Sequence, residues 1–419
     1  MDAYAKILLI AMPAFLVLVL FEKFWGWYHG RDTVRVNDMI SSLSSGVTNV
    51  TKDVLGLSIG IITYGWLYSH LALVRIPTTF WTYIIAFLAL DFAGYWVHRI
   101  AHQYNLFWNN HIIHHSSEEF NLACALRQSI SNVIRIFAVF LLPAAVIGIE
   151  PQVIGAVAPL HLFAQFWYHT QHIGKMGILE KIIVTPSHHR VHHAINPIYL
   201  DKNFSEIFIF WDKLFGTFQA ELPDVPCVYG VTRPVRTWNP IKINFMHLGL
   251  LIRDAWYTRN FADKLRIWFM PLGWRPADVQ NRFPVYRIED VFSYEKYDTK
   301  ESVLLKCWYA IQFMVVLIFV TYLFANIQFI GLPRMFLYGG FIFLSVYAFT
   351  EQMDRSLAAP WFEGIKLIFG SLLIYISGDW FGASALWVGI PYLIVGYLSF
   401  SFILSILIYR SAKNSAIKV

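Results

Sequence analysis

The sequence predicts an all-α protein, a polytopic bundle of membrane helices with a histidine-rich site for two metal ions facing the cytoplasm. Of its 419 residues, 57% are hydrophobic and 14% are charged, whereas soluble domains carry about 25% charged residues. Several apolar runs approach the roughly 20 residues that a helix needs to cross the hydrocarbon of a bilayer. Histidines gather beside the ends of these runs, at spacings typical of metal ligands.

The composition also excludes several classes of protein. The net charge of +6 is modest, and the Lys and Arg residues lie between the apolar runs instead of in one stripe, which favours a membrane surface over nucleic acid as partner. Cys124, Cys227 and Cys307 are far apart and lack CxxC spacing, so no disulfide framework or thiolate metal site is predicted. The first apolar run lacks a clear small-residue cleavage site, which favours a retained anchor over a signal peptide.

The apolar stretches divide the chain into four predicted segments. The candidate spans are 5–22, 53–74, 81–98, 130–148, 152–168, 305–325, 335–350, 361–377 and 385–409. The segments are N-terminal anchor helices at 1–80, a histidine-bearing catalytic domain at 81–222, a cytoplasmic or interfacial segment at 223–304, and C-terminal membrane helices at 305–419. The pair at 130–168 breaks at Gly148–Pro151 and is predicted as a hairpin that either crosses twice or dips into the bilayer and returns.

Basic residues in the loops predict the orientation of these spans. Lys and Arg concentrate in alternate loops, and the resulting scheme places the N-terminus outside and the C-terminus in the cytoplasm. It also places 99–129 and 169–304, which carry the dense histidine motifs, in the cytoplasm. Residues 241–275 mix Leu, Trp and Phe with Arg and Lys, a pattern typical of a helix in the membrane interface and equally of a surface helix that covers the cytoplasmic part.

Three histidine motifs carry the chemistry. His98 and His102 stand at i and i+4, and the sets 111/114/115 and 189/192/193 each stand at i, i+3 and i+4, which predicts one helical face apiece. His169, after the hairpin, is a candidate ninth ligand. The predicted metal ligands are His98, His102, His111, His114, His115, His169, His189, His192 and His193. Eight or nine imidazoles are too many for a four-ligand structural zinc site, so the count favours a dinuclear catalytic site, although spacing does not choose among iron, zinc and copper.

Other polar residues are candidates for orienting these ligands. Asp91 lies seven residues before His98 inside a predicted span, where a carboxylate is costly and usually has a partner, so it is expected to orient a metal-bound imidazole or to form a structural ion pair. The remaining candidates are Arg99, Gln103, Asn121, Arg127, His172, His188, Asn196 and Asp212, each of which can instead bond a loop. His188 is expected to line the pocket, because 189/192/193 repeats the spacing of 111/114/115. Isolated histidines such as His70 and His161 are expected to be packed or surface residues.

At these residues the sequence resembles the fatty acid hydroxylase/sterol desaturase superfamily of membrane di-iron oxygenases. The motifs H98-x3-H102, H111-x2-H114-H115 and H189-x2-H192-H193 are similar to its histidine boxes. The flanks DFAGYWVHRIAHQYNLFW, FWYHTQHIGKMGILE and TPSHHRVHHAINPIYLDKNFSE resemble the branch that cleaves alkylglycerol ether lipids. The resemblance covers about residues 85–222.

The resemblance implies a cytoplasm-facing centre of two iron ions and oxygen insertion next to an ether oxygen, giving a hemiacetal that collapses to a fatty aldehyde and a glycerol derivative. It implies tetrahydrobiopterin as the electron donor. One departure weakens that implication, because the branch has an acidic residue directly after the second histidine and this chain has Gln103. A neutral amide does not supply the same charge to a metal or a pterin.

The sequence therefore predicts an O₂-dependent lipid monooxygenase whose partners are a membrane lipid, O₂ and an external electron donor. No GxGxxG after a strand, CxxCH or ferredoxin-like Cys run is present, so no flavin, haem or iron–sulfur domain is predicted within the chain. The alternative in the same class is a fatty acyl or sterol hydroxylase or desaturase fed by a separate electron carrier. A metal-ion transporter is a remote alternative, since its ligands are expected near the middle of the bilayer.

Overall fold

The computed structural model describes residues 2–60, 62–135 and 137–416, and its regular structure is almost entirely helical. Residues 1, 61, 136 and 417–419, which belong to the predicted segments 1–80, 81–222 and 305–419, lie outside the described residues. The α-helices in chain order are α1 (Asp2–Tyr28), α2 (Val36–Val54), α3 (Tyr64–Leu71), α4 (Phe80–Gln103), α5 (Asn105–Trp108), α6 (Ile112–His115), α7 (Phe137–Phe140), α8 (Leu142–Val146), α9 (Pro151–Phe163), α10 (Pro186–His193), α11 (Phe210–Leu214), α12 (Pro240–Tyr257), α13 (Phe261–Arg266), α14 (Ala277–Arg282), α15 (Val303–Ala325), α16 (Ile327–Ile330), α17 (Arg334–Met353), α18 (Ala359–Ser377) and α19 (Ile390–Ala416). Short 3₁₀ turns occur at Cys124–Leu126, Gly177–Lys181 and Ala383–Ala385, and two-residue strands β1 (Ile59–Gly60) and β2 (Ile134–Arg135) pair in parallel.

Five helices of the described chain are long and apolar enough to cross a bilayer. They are α1, α4, α15, α18 and α19. They correspond to the predicted spans that begin at 5, 81, 305, 361 and 385, and they make the chain a multi-pass membrane protein. The predicted span 335–350 lies inside α17, a 20-residue helix with a largely buried surface.

The predicted span 53–74 is wrong as a single helix. Helix α2 ends at Val54, Gly56 takes a positive φ of 68°, and the chain then passes through β1 before α3, which has only eight residues. A positive φ suits glycine and ends a helix. Thr63 begins α3 by accepting a hydrogen bond from the N–H of Trp66.

The stretch 130–168 forms short helices and not two spans. Helices α7 and α8 have four and five residues, and α9 has 13 residues. Gly148, with φ of 83°, and Pro151, the first residue of α9, make the predicted break. Helix α9 packs against the middle of α4, where Val153 and Val157 share an apolar cluster with Ala86 and Leu90.

The stretch 241–275 folds into α12, α13 and the turn after them. Main-chain atoms of 267–274 attach it to the start of α5, since Asn105 donates to the carbonyls of Ile267 and Trp274 at 3.0 Å each. Trp256 and Phe261 are 78% and 71% exposed. Exposed rings of this size fit a position in the membrane interface, which stays a prediction.

The C-terminal helices contain a buried polar network. Glu363 and Lys366 on α18 form an ion pair at 2.7 Å, and both side chains are 1% exposed or less. Ser401 donates to Glu363, and Gln312 accepts from Ser401 and from Lys366. Pairing of this kind is what a charge requires inside a lipid span.

Candidate metal centre

The nine histidines predicted to bind metal come together in two groups inside the protein. The ligand nitrogens of each group lie within 4.8 Å of one another. The five-histidine group is His98, His102, His111, His115 and His192, and the four-histidine group is His114, His169, His189 and His193. All nine side chains are buried except those of His111 and His114, which are half-buried. The arrangement provides two neighbouring positions that can each hold a metal ion.

The two three-histidine motifs divide between the groups in the same way, whereas His98 and His102 both enter the five-histidine group. A pair at i and i+4 enters one group, as His111 and His115 do, while the i+3 residue between them, His114, enters the other. Positions i+3 and i+4 are about 100° apart around a helix, so their side chains aim at different points. The sets 111/114/115 and 189/192/193 can therefore each present one face about 100° wide and still supply ligands to both groups.

Helix α10 shows how the local sequence sets this geometry. Pro186 occupies its first turn, and the Nδ1 atom of His188 accepts the N–H of Thr185 at 3.3 Å. This capping contact turns His188 away from both groups and leaves His189 at the start of the ligand face. His188 also packs against the ring of Phe218.

The contacts between ring nitrogens test whether a metal fits. In the five-histidine group, Nε2 of His115 lies 3.1 Å from the Nε2 atoms of His102, His111 and His192. The Nδ1 atom of His192 lies 3.0 Å from the carbonyl of Lys202 and must carry the proton there, so its Nε2 is a bare lone pair. One proton on His115 can satisfy only one of three such contacts, and the others bring two lone pairs or two N–H groups against each other. A cation that accepts these lone pairs removes the conflict.

The same conflict occurs in the four-histidine group. His169 directs Nδ1 to the carbonyl of Gln165 at 3.0 Å. Its bare Nε2 faces Nε2 of His189 at 2.8 Å and Nε2 of His114 at 3.4 Å. In addition, Nε2 of His98 in the other group is buried without a hydrogen-bond partner among the described residues. A metal held about 2.1 Å from each imidazole nitrogen would place neighbouring nitrogens about 3 Å apart, so the residues present fit a metal at each position.

Burial keeps these rings neutral. Desolvation, followed by repulsion from neighbouring imidazoles, holds the pKa of His111, His189 and His192 well below the ordinary value. Desolvation lowers the pKa of His114 to about 4, although the main chain of Arg127 acts in the opposite direction. A neutral imidazole is the form that binds metal, so the groups are ready for ligation near neutral pH.

Aromatic rings enclose both groups. Phe204 packs against His98, His102 and His192 with centroid distances of 5.2–6.0 Å. Phe120 packs against His169, His189 and His193 at 5.3–5.9 Å. Such a shell limits the access of solvent to a metal site.

Asp91 lies apart from the ligand histidines. Its carboxylate accepts the N–H groups of Ile207 and Phe208, the indole N–H of Trp211, and Nε2 of His161 at 2.8–3.1 Å. None of these bonds joins Asp91 to a predicted metal ligand. Seven helical residues rise about 10 Å, so Asp91 is too far along α4 to reach His98.

Gln103, His172 and His188 have other contacts. The side chain of Gln103 is exposed, and its carbonyl accepts the N–H of Leu272. His172 pairs Nε2 with the hydroxyl of Thr33 at 3.1 Å. His188 caps α10, as described above.

Asn121, Arg127 and Asn196 bond loops near the site. Asn121 accepts the N–H groups of Ala123 and Cys124. Arg127 is 2% exposed and donates to the carboxylate of Asp38 at 2.6 Å and to the hydroxyl of Ser116, the residue after His115. Asn196 joins Pro226 to Val228. Of the three, Arg127 is the one that bonds a residue directly next to a predicted ligand.

The structure adds residues that the sequence analysis did not single out. His161, expected to be a packing residue, is buried between Asp91 and Glu206, and these three side chains form a further group with ligand atoms within 4.8 Å. Four hydrogen bonds already saturate the Asp91 carboxylate. We therefore interpret this group as a structural hydrogen-bond network and not as a metal site. The acceptors that face the ligand rings are mainly backbone carbonyls, which no residue pattern reveals.

Comparison with known proteins agrees with this site. The family model described as fatty acid hydroxylase matches residues 83–217, which include all nine histidines. Alkylglycerol monooxygenase of Homo sapiens is 35% identical over 374 residues, covering 88% of this chain and 82% of the relative. Alkylglycerol monooxygenases of Xenopus tropicalis and Danio rerio are 34% and 31% identical and cover 84% and 87% of this chain and 79% and 81% of their own lengths.

The chain belongs to the alkylglycerol monooxygenase family.

Membership of this family with a fatty acid hydroxylase domain makes the chain an oxygen-dependent lipid monooxygenase of the membrane. This function is favoured over a sterol or fatty acyl desaturase and over a metal transporter. An ornithine lipid hydroxylase of Rhizobium tropici is 26% identical over 135 residues, a much shorter region. No solved structure matches the chain.

Proposed function

We propose that the chain is a di-iron monooxygenase that hydroxylates the carbon next to the ether bond of alkylglycerol-type lipids. The hydroxylated product is a hemiacetal, which collapses to a fatty aldehyde and a glycerol derivative. One atom of O₂ enters the C–H bond and the other leaves as water, so two electrons and two protons must come from outside the chain.

The observation that carries the proposal is the close contact of bare imidazole nitrogens at two neighbouring positions. His115 Nε2 within 3.1 Å of three other Nε2 atoms, and His189 Nε2 within 2.8 Å of His169 Nε2, call for a cation at each position. Nitrogen ligands suit iron, and the relatives act on alkylglycerols by name. When bound, a pair of redox-active ions supplies the activation of O₂.

The residues of the chain would perform the remaining tasks. The nine histidines would hold the ions, and the rings of Phe204 and Phe120 would exclude bulk water from them. Helix α4, whose window is long and apolar enough to span a bilayer, carries His98 and His102 near its end. A lipid in the adjacent leaflet could therefore reach the centre without leaving the membrane.

The orientation and the electron donor are part of the proposal. We place the histidine groups and the C-terminus on the cytoplasmic side, because the basic residues follow that scheme. Tetrahydrobiopterin remains the candidate donor through family membership. Gln103 in place of an acidic residue, with its side chain exposed, makes an external protein carrier the alternative to test.

An activity assay with purified protein tests the proposal. We expect aldehyde release from an alkylglycerol with a tetrahydropterin, and none from an acyl lipid with a redox protein. The His70→Ala variant is a suitable control, because His70 is exposed on α3 and belongs to neither group. Activity with the acyl lipid pair alone would refute the ether-lipid assignment, and fewer than about two irons per anaerobically purified chain would refute the dinuclear centre.

A further inference from the structure

We propose that residues 201–208 form a rigid outer shell for the five-histidine position, so that the two metal positions differ in affinity. The inference rests on the proposed dinuclear centre and assigns Asp212 and Asp91 as positioning residues. They would act on the ligands through the main chain of this segment, without touching the metal.

The segment supplies acceptors to three of the five ligands. The carbonyl of Phe204 lies 2.8 Å from Nδ1 of His98, and the carbonyl of Lys202 lies 3.0 Å from Nδ1 of His192. The carboxylate of Asp201 lies 3.5 Å from Nδ1 of His102. Each contact fixes the orientation of a ring and leaves its Nε2 facing the metal position.

Two buried aspartates hold this segment in place. Asp212 accepts the N–H groups of Phe204 and Ser205 at 2.8 Å each, and Asp91 accepts those of Ile207 and Phe208 at 2.8 and 3.1 Å. Both carboxylates are 0% exposed. Hydrogen bonds to a charged acceptor are worth about 1.5–3 kcal/mol each, so four of them within five residues make the carbonyl positions rigid.

Further bonds tie residues 201–208 and Asp212 to the helices that carry the predicted ligands. Thr217 donates to Asp212 at 2.7 Å and pairs with the hydroxyl of Tyr95 on α4, at 3.0 Å. Asn203, which takes a positive φ of 56°, bonds the carbonyls of His188 on α10 and of Gln219. The segment therefore spans the two helices that carry His98, His102 and His192.

The four-histidine position lacks such a shell. The Nδ1 atom of His189 is buried without a hydrogen-bond partner among the described residues, and His114 has the main chain of Arg127 beside its ring, outside good hydrogen-bond geometry. The ring of His169 bonds the carbonyl of Gln165, four residues before it, and the main chain of Phe166 lies beside it. Among the described residues, one of its four rings has a hydrogen-bonded acceptor at Nδ1, whereas the five-histidine position has two such rings and a third beside the Asp201 carboxylate.

Loss of outer-shell partners typically weakens metal binding about 10–100-fold. We therefore expect wild-type protein to bind two ions in two steps, with the five-histidine position filling first. Five ligands against four favour the same order, so the variants below must separate the effect of the shell from that of the ligand count.

Metal titration of the full-length protein tests the inference. The protein is purified in detergent, stripped with a chelator and titrated with Co²⁺, whose visible absorbance reports each ligand set, and then with Fe²⁺ under anaerobic conditions. In Asp212→Asn, one carboxylate oxygen becomes an amide that cannot accept a backbone N–H, and the first step should weaken about 10–100-fold while the second is unchanged. Asp224→Asn, at an exposed carboxylate, should match the wild type.

A second variant guards against misfolding of the first. Asp201 has a side chain that is 63% exposed, and its positive φ of 56° suits asparagine, so Asp201→Asn should fold. It should weaken the same first step, and His189→Ala should abolish only the second.

Two steps of equal affinity in the wild type, or an equal loss in both steps in Asp212→Asn and Asp201→Asn, would overturn the inference alone. Fewer than two bound ions in the wild type would overturn the dinuclear centre as well.

Discussion

At the scale of single residues, His114 separates the two metal positions. It is the i+3 member of its motif and turns from the His111/His115 pair toward His169, with 3.4 Å between their Nε2 atoms. We expect His114→Ala to lower the iron content from about two to about one per chain and to abolish oxidation of the lipid. Metal analysis of anaerobically purified protein checks this, with His70→Ala as the variant that keeps both ions. Full iron content in His114→Ala would remove this residue from the ligand set.

The raised pKa of Glu206 predicts that the stability of the protein depends on pH. The Glu206 side chain is 22% exposed and lies 3.2 Å from the amide of Gln165. Desolvation raises the pKa of Glu206 from 4.5 to about 7, with His161 acting in the opposite direction. The folded protein therefore binds this proton more tightly than the unfolded chain, and stability falls as the pH rises from about 4.5 to 7. At about 1.4 kcal/mol per pKa unit the loss is at most about 3.5 kcal/mol.

The Glu206→Gln variant removes this titration while keeping the shape of the side chain. Its unfolding midpoint should exceed that of the wild type by an amount that grows between pH 5 and pH 8. Thermal unfolding in detergent at several pH values measures the difference. Glu289→Gln, at an exposed carboxylate, should follow the wild-type curve, and parallel curves for Glu206→Gln would contradict the prediction.

Residue spacing identified eight of the nine histidines that the structure brings together, because i and i+4 spacing constrains where rings can meet. His169 was a candidate from its place after the hairpin. The same arithmetic failed for Asp91, since sharing a helical face does not bring residues two turns apart into contact. It also could not foresee the carbonyls of Lys202 and Phe204. Every residue has a carbonyl, so only the fold selects those that face an imidazole.

At the scale of elements, hydropathy predicted the long apolar helices and failed where apolar residues form short ones. Helices α7, α8 and α9 are as apolar as spans, yet Gly148 and Pro151 interrupt them. The sequence located that break correctly, but it left open whether the chain crosses there. The hydropathy pattern did not predict helix α2, because serines and threonines form much of its buried surface. Such polar residues give no apolar signal.

Gly148 makes the break between α8 and α9 testable. Its φ is 83°, and a Cβ added there would lie 1.9 Å from the carbonyl oxygen of Val74. Strain and overlap together should make Gly148→Ala about 2–5 kcal/mol less stable. Gly155→Ala, inside α9 with no atom within 4 Å of the new Cβ, should be neutral or about 0.5–1 kcal/mol more stable. Equal unfolding midpoints for the two variants in detergent would show that the glycine turn between α8 and α9 does not contribute to stability.

At the scale of the whole molecule, polar contacts join the C-terminal helices to the catalytic half, beside the apolar core that α15 and α17 share with α1 and α2. Asp354, directly after α17, accepts the N–H of Trp238 at 2.7 Å, the hydroxyl of Tyr297 at 3.1 Å and the hydroxyl of Thr237. Glu351 accepts from Asn239 and pairs with Lys242. These contacts place the helices of 305–419, whose role the sequence left unknown, as a support for the segment that precedes α12.

Removal of the Asp354 carboxylate should loosen this junction without unfolding either half. We expect Asp354→Ala to lower the free energy of unfolding by about 1.5–3 kcal/mol, the range for hydrogen bonds to a charged group. The segment 223–304 should become more open to added protease, since its anchor at Thr237 and Trp238 is gone. Limited proteolysis and thermal unfolding in detergent measure the two effects, with Asp224→Ala as the exposed control. If cleavage in 223–304 were as slow in Asp354→Ala as in the wild type, the C-terminal helices would not support the catalytic half through this contact.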